Sequence, residues 1–159
     1  MRAAVLTVSD GVAAGVREDR SGEVLEELLA AAGYDVERRV VPDESDSIQA
    51  ALAELAEHAR LVLTTGGTGF SPRDVTPEAT RPLLDREAPG MAEAIRADAL
   101  RRTPHAMLSR GLAGLHGTTL IVNLPGSPGG CRDGFAAIAP ALEHGLALAG
   151  ADDTEHRQT

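Results

Sequence analysis

Leu61-Val62-Leu63-Thr64-Thr65-Gly66-Gly67-Thr68-Gly69 is the segment of this 159-residue chain that says most about its fold. It begins with a continuous apolar run, which is typical of a β-strand covered on both faces. The glycines that follow permit positive φ angles and let a ligand approach the main chain, whose successive N–H groups can surround an anion. The segment therefore predicts a buried strand followed by a ligand-binding loop, with a tight strand-to-helix turn as the alternative.

Apolar patterns on both sides of this segment predict alternating strands and helices. The expected strands cover 3–8, 34–41, 61–63 and 120–122, and the expected helices cover 24–32, 48–59, 77–85, 90–102 and 128–149. In the ambiguous stretch 104–117, alternation at 106–108 and 111–113 suggests a short hairpin. This order predicts a three-layer α/β/α sandwich with a mostly parallel central sheet. Residues 1–150 are expected to form one domain, and 151–159 a flexible tail.

The composition limits the chemistry available to the chain. Lys and Arg number 15 against 24 Asp and Glu, for a formal net charge of −9, and every one of the 15 is arginine. Only 2% of residues are aromatic, so neither nucleic acid nor an anionic membrane is an expected partner. The lack of lysine excludes a Walker A loop and Schiff-base mechanisms. A single cysteine, interpreted as a packing residue, and the lack of a long apolar run near the start favour the cytoplasm.

Two further segments are expected to begin helices at the same edge of the sheet as the glycine loop. Thr76-Pro77-Glu78 has Thr76 in the N-cap position and proline at the first helical position, and Ser127-Pro128 repeats this arrangement. Ligands of such sheets bind beyond the carboxyl ends of the strands, where the free amides at helix N-termini attract anions. The convergence favours a site for a multiply anionic ligand over two ordinary helix caps.

Carboxylates follow the same strand ends. Asp74, on the loop before the Thr76 helix, is interpreted as a Mg²⁺ ligand beside the glycine loop, in preference to a cap or an ion-pair partner of Arg73. Asp43, after the second strand, is either a second metal ligand or an acid that compensates the dipole of the next helix; the spacing leaves both roles open. The five histidines are scattered, without the spacing of metal ligands.

Four motifs together resemble the family of molybdenum-cofactor biosynthesis proteins that includes MogA, MoaB and the gephyrin G domain. The resemblance covers residues 3–149, and residues 104–110 resemble MogA more closely than MoaB. The four motifs, in the family's order, are Thr7-Val8-Ser9-Asp10, Thr64-Thr65-Gly66-Gly67-Thr68-Gly69, Arg73-Asp74-Val75-Thr76-Pro77-Glu78 and Asn123-Leu124-Pro125-Gly126-Ser127-Pro128.

The resemblance implies a molybdopterin adenylyltransferase, which uses Mg²⁺ to transfer AMP from ATP to molybdopterin and releases pyrophosphate. It implies that Asp43 and Asp74 are catalytic and bind the metal. It also implies a homotrimer, with the molybdate-insertion enzyme of the same pathway as a protein partner. The residues it implies in substrate binding are Ser9, Asp10, Thr65, Gly66, Gly67, Thr68, Gly69, Thr76, Glu78, Ser109, Asn123, Pro125, Gly126 and Ser127.

One departure from the family pattern keeps other functions open. Gly129 stands where many relatives carry lysine, so a phosphate contact is expected to come instead from Arg132 or from bare helix amides. The missing lysine favours a non-catalytic carrier or scaffold that binds molybdopterin. A third alternative, by likeness to the competence-damage-protein domain, is a hydrolase of nucleotide-derived pyrophosphates. For adenylyl transfer no general base is expected, because the attacking phosphate is already ionised at neutral pH.

Overall fold

In the computed structural model, which describes residues 1–151, one sheet of six strands organises the chain. The strands are β1 (Arg2–Val8), β2 (Asp35–Val41), β3 (Leu61–Thr65), β4 (Arg86–Glu87), β5 (Ala113–His116) and β6 (Thr119–Leu124). Their order across the sheet is β2-β1-β3-β6-β5-β4. Strands β2, β1, β3 and β6 are parallel to one another, whereas β5 pairs antiparallel with both β6 and β4. The predicted sheet is therefore confirmed over its parallel part.

Helices cover both faces of this sheet. They are α1 (Asp10–Ala13), α2 (Arg20–Ala31), α3 (Ser45–Ala56), α4 (Thr76–Thr80), α5 (Pro89–Leu100) and α6 (Pro128–Ala149). Buried side chains of α2, α5 and α6 share one core, and those of α3 and α4 share the other. This arrangement confirms the three-layer sandwich. Within the residues described, no helix combines the length and apolarity needed to cross a bilayer.

The continuous apolar runs arise because each central strand contributes to both cores. Along β3, Leu61 and Leu63 belong to the core under α2 and α6, and Val62 belongs to the core under α3. Successive side chains of a strand point to opposite faces, so a strand between two layers needs apolar residues at every position. The same alternation divides Val5 from Leu6 in β1.

Several predicted boundaries need correction. Val75, not Thr76, is the N-cap of α4, and Thr76 is the first helical residue. The helix expected over 77–85 ends as an α-helix at Thr80 and continues as a 3₁₀ turn, Arg81–Leu83. Residues 106–108 lie in another 3₁₀ turn, Pro104–Leu108, so the hairpin is formed by β5 and β6 instead. Of the expected tail, residues 152–159 lie outside the described part.

Candidate active site

The candidate site lies at the carboxyl ends of the four parallel strands, which end in register. Thr65 of β3 pairs with Thr7 of β1 on one side and with Leu124 of β6 on the other. Val8 at the end of β1 pairs with Val41 at the end of β2. The four following loops therefore begin side by side at one edge of the sheet, as the rule for parallel sheets predicts.

The glycine loop after β3 needs glycine for two separate reasons. Gly66 and Gly67 have φ angles of 96° and 68°, a region that is unfavourable for residues with a Cβ. A Cβ on Gly66 would also collide with the carbonyl oxygen of Val8. The main chain of the loop thus lies directly against the end of β1, and no side chain fits between them.

Thr76 fixes the carbonyl groups of this loop and leaves its amides available. The Thr76 hydroxyl donates to the Gly66 carbonyl oxygen at 2.9 Å, and the Thr76 N–H donates to the Gly67 carbonyl oxygen at 3.0 Å. The N–H groups of residues 66–69 donate no hydrogen bond to any residue of the described chain. Four successive unbonded amides in a loop with positive φ angles are suited to bind anionic oxygens.

A cavity lies on each side of the glycine loop. The first, which we call the β1 cavity, has a volume of about 550 Å³ and is bordered by Ser9, Arg17 and Arg20. The second, the α6 cavity, has a volume of about 620 Å³ and is bordered by residues of α5, α6 and the 104–108 turn. Both volumes are in the usual range for small-molecule sites. Gly67, Asp74 and Gly126 line both cavities, so the two spaces share a wall.

Most of the predicted site residues line one or both cavities, and four do not. The lining set comprises Ser9, Asp43, Thr65, Gly66, Gly67, Thr68, Gly69, Asp74, Ser109, Pro125, Gly126 and Ser127. The structure therefore brings together residues that are as far apart in sequence as Ser9 and Ser127. Outside both linings lie Asp10, Thr76, Glu78 and Asn123.

These four residues support the loops around the cavities, and direct substrate contact by them stays a prediction. Asn123 is 3% exposed and donates from its amide to the hydroxyls of Thr64 and Thr80. Glu78 forms an ion pair with Arg110. Thr76 holds the glycine loop as described. Asp10 forms hydrogen bonds with the main chain and the side chain of Asp43, just after β2.

Asp43 is linked to Asp10 by a reciprocal pair of hydrogen bonds. The Asp10 N–H donates to Oδ2 of Asp43 at 2.8 Å, and the Asp43 N–H donates to Oδ1 of Asp10 at 2.9 Å. Arg73 in turn donates two hydrogen bonds to the Asp10 carboxylate, at 2.9 and 3.0 Å. Arg73 is therefore the ion-pair partner of Asp10. The ion pair between Arg73 and Asp74, the alternative role of Asp74 in the sequence analysis, is not formed.

The ionisation of these carboxylates follows their surroundings. Burial raises the pKa of Asp43 above its usual value, and the negative charges of Asp10 and Asp74 raise it further. The Arg73 hydrogen bonds lower the pKa of Asp10, and the Asp43 N–H adds to this effect. The negative charge of Asp74 thus repels that of Asp43 across the β1 cavity. A cation bound between the two carboxylates would reduce this repulsion.

Asp43 and Asp74 have the donor set that Mg²⁺ prefers but do not complete its shell. Oδ2 of Asp74 accepts from the Ser71 N–H at 3.0 Å, and Oδ1 of each aspartate receives no hydrogen bond from residues 1–151. Within the same residues, no three His, Cys, Asp or Glu side chains are grouped as a metal site. Mg²⁺ is commonly held by one or two carboxylates together with water and substrate phosphates, so the two aspartates fit this ion only if other oxygen ligands complete its shell.

Arg110 is a site residue that the sequence reasoning missed. Its guanidinium donates to the carbonyl oxygens of Gly69 and Asp74, each at 2.8 Å, and its N–H donates to the Thr68 carbonyl oxygen at 2.8 Å. It thus joins the glycine loop to the segment that carries Asp74. These partners are main-chain groups distant in sequence, so no local pattern marks the residue.

The position of Gly129 bears on the expected loss of a phosphate contact. Gly129 lines the α6 cavity, and a Cβ built there would meet nothing within 4 Å. Arg132 is absent from the linings of both cavities, whereas Arg102 lines the α6 cavity. Arg102 is paired with Asp98 and Asp133. At the start of α6 the Gly130 N–H donates to the Ser127 hydroxyl and the Cys131 N–H to the Ser127 carbonyl oxygen, so of residues 128–131 only Gly129 has an N–H without a partner in the described chain.

Comparisons with known proteins point to one family. A family model described as "probable molybdopterin binding domain" matches residues 4–144. The chain is 45% identical to the molybdenum cofactor synthesis protein cinnamon of Drosophila melanogaster, covering 98% of this chain and 26% of that protein. It is 39% identical to the molybdopterin adenylyltransferase of Escherichia coli K12, covering 92% of this chain and 80% of that enzyme.

Solved structures agree with these sequence matches. The molybdopterin biosynthesis enzyme MoaB of Thermus thermophilus superposes with a TM-score of 0.87 at 50% identity, covering 93% of this chain and 95% of that one. The chain spans about a quarter of the length of the larger relatives, cinnamon and a gephyrin from Dictyostelium discoideum, and most of the length of the bacterial ones.

Proposed function

The chain belongs to the molybdopterin-binding domain family of the MogA and MoaB type, and we propose that it transfers AMP from ATP to molybdopterin. In this reaction a phosphate oxygen of molybdopterin attacks the α-phosphorus of ATP. A new phosphorus–oxygen bond forms, the bond from the α-phosphorus to the bridging oxygen breaks, and pyrophosphate leaves. The products are adenylyl-molybdopterin and pyrophosphate, and the pathway is molybdenum-cofactor biosynthesis.

The observation that carries this proposal is the wall shared by the two cavities. A transfer between two phosphorylated molecules needs a separate space for each and one point at which their phosphates meet. Gly67, Asp74 and Gly126 border both the β1 cavity and the α6 cavity. Holding two reactants in contact at this wall supplies the proximity that such a reaction needs.

The main obstacle is repulsion between the two polyanions, and the side chains alone do not remove it. In the β1 cavity Arg17 and Arg20 are offset by Glu18, Asp43 and Asp74. The unbonded amides of residues 66–69 therefore bind the phosphate oxygens and stabilise charge that develops on them. Because these donors are main-chain groups held by Thr76 and Arg110, they need no reorganisation during the reaction.

Asp43 and Asp74 are proposed to hold Mg²⁺ together with the ATP phosphates. Bound there, the ion would neutralise phosphate charge and favour the departure of pyrophosphate. We further propose that the chain acts as a homotrimer and delivers its product to a molybdate-insertion enzyme, as the family resemblance implies.

The direct test is product formation by the purified protein with molybdopterin, ATP and Mg²⁺. Wild type should form adenylyl-molybdopterin and pyrophosphate in equal amounts, and Asp74→Asn should lower the rate by about 100-fold or more, about 2.7 kcal/mol of transition-state stabilisation. Asp35→Asn is the matched control, because Asp35 begins β2 at the amino ends of the parallel strands, away from the site. A wild-type rate in Asp74→Asn would refute the role of this carboxylate, and no product from folded wild type would refute the function.

A non-catalytic molybdopterin carrier is the second candidate, and the start of α6 favours it. Gly129 leaves the α6 cavity without a cationic side chain at that point. A carrier would bind molybdopterin with the same affinity whether or not ATP is present. Calorimetric titration of molybdopterin with and without a non-hydrolysable ATP analogue separates the two, because adjacent sites for two polyanions must affect each other's affinity.

A further inference from the structure

Asp10 connects three separate segments at the edge of the sheet. It lies after β1, it exchanges hydrogen bonds with Asp43 after β2, and it accepts both hydrogen bonds of Arg73, the residue before Asp74. One carboxylate is thus bonded to Asp43 itself and to the immediate chain neighbour of Asp74. Asp10 does not line either cavity.

The contribution of this connection is to geometry more than to stability. The side chains of Arg73 and Asp10 are 58% and 46% exposed, and exposed ion pairs stabilise the folded state only slightly. However, a guanidinium that donates two parallel hydrogen bonds to a carboxylate fixes distance and orientation together. The reciprocal bonds to Asp43 transmit this restraint from the Asp74 segment to β2.

We propose that Asp10 and Arg73 are positioning residues that set the separation of the Asp43 and Asp74 carboxylates across the β1 cavity. The role in metal binding rests on the proposed function, whereas the mechanical link between Arg73 and Asp43 does not. Asp10 is therefore assigned to the support of the carboxylates and not to contact with substrate. Residues that orient metal ligands in this way typically change metal affinity by about 10- to 100-fold when replaced.

The first measurement tests the link without metal or nucleotide. The Asp43 N–H donates to Asp10, so its hydrogen exchange, followed by NMR, reports whether Asp10 stays in place. Arg73→Ala removes no hydrogen bond of Asp43 but frees the Asp10 carboxylate to move. The bond from the Asp43 N–H to this carboxylate should then weaken, and exchange should become about tenfold faster. Arg2→Ala is the matched control, because it breaks an exposed ion pair with Asp35 at the opposite edge and should leave the Asp43 exchange unchanged.

The second measurement uses Mn²⁺ as a probe of the metal site, titrated calorimetrically in the presence of α,β-methylene-ATP. Arg73→Ala and Asp10→Asn should each weaken Mn²⁺ binding by about tenfold or more, while the affinity for the metal-free nucleotide changes less than about threefold. Arg73→Lys should recover only part of the loss, because lysine cannot make the paired hydrogen bonds.

Three results would overturn the proposal: unchanged Asp43 exchange in Arg73→Ala, full recovery of Mn²⁺ affinity by Arg73→Lys, or a change in nucleotide affinity as large as the change in Mn²⁺ affinity. If wild type binds no Mn²⁺, the metal role of Asp43 and Asp74 in the proposed function fails, and the exchange measurement still decides whether the link exists.

Discussion

Replacing Gly66 by alanine tests the claim that the loop needs glycine because its main chain lies against β1. Two unfavourable effects combine in Gly66→Ala. The φ of 96° is unfavourable for any residue with a Cβ, at about 1–2 kcal/mol. The new Cβ would also collide with the Val8 carbonyl oxygen, and overpacking of this kind costs about 1–3 kcal/mol. Together we expect a loss of about 2–5 kcal/mol from the free energy of unfolding.

Gly33→Ala is the matched control for this prediction. Gly33 has a φ of 89°, and a Cβ built there meets nothing within 4 Å. This variant should therefore lose only the conformational part, about 1–2 kcal/mol. Urea unfolding followed by far-UV circular dichroism measures both, because the chain contains no tryptophan for fluorescence. If Gly66→Ala is no less stable than Gly33→Ala, the close approach of the loop to Val8 is not a constraint.

Two further predictions concern groups that surround the site. Burial raises the pKa of the Cys131 thiol to about 11 from an ordinary 9.0; because the folded state keeps this proton more tightly, stability should be full below pH 9 and fall as the pH rises towards 11. Between about pH 8 and 10.5 wild type should lose up to about 2 kcal/mol more than Cys131→Ser in urea unfolding, and equal losses would contradict the assignment. Arg110→Ala should lower stability by about 2–3 kcal/mol, since its charged donors leave the Gly69 and Asp74 carbonyl oxygens, and should accelerate exchange of the Ser71 and Asp74 N–H groups, which are hydrogen-bonded within this segment. Glu78→Gln, which loses only an exposed ion pair, should change stability by about 0.5 kcal/mol or less; an equal effect of both variants would assign the stabilisation to the ion pair.

The central strands could be predicted from sequence because their environment leaves a one-dimensional pattern. A strand with a core on each face needs apolar residues at consecutive positions, and β1, β3 and β6 have such runs. By contrast, β4 consists of two exposed residues, Arg86–Glu87, and has no hydrophobic signal. The early end of α4 does have a local signal. Pro82 has no N–H to donate to the carbonyl group of Glu78, and its ring crowds that carbonyl, which accounts for the change to a 3₁₀ turn after Thr80.

The placement of the site could be predicted because topology alone brings parallel strand ends together. The role of each residue within the site could not be predicted in this way. Asp10 and Asp74 both follow strand ends and look alike in sequence, yet one lies outside the cavities and binds Arg73, and the other lines both. Arg110 acts on main-chain carbonyl groups that are 36 and 41 positions away. Such contacts depend on the folded path of the chain and leave no spacing that a sequence reveals.

The fate of the α-phosphorus tests the central claim most directly. The protein would be incubated with molybdopterin, Mg²⁺ and ATP labelled with ³²P at the α-position, and the pterin product would be isolated. Transfer across the wall shared by the two cavities predicts that the label appears in adenylyl-molybdopterin, one label per pterin, and only when molybdopterin is present. Label that remains in ATP, or that is released as free AMP whether or not the pterin is added, would contradict it.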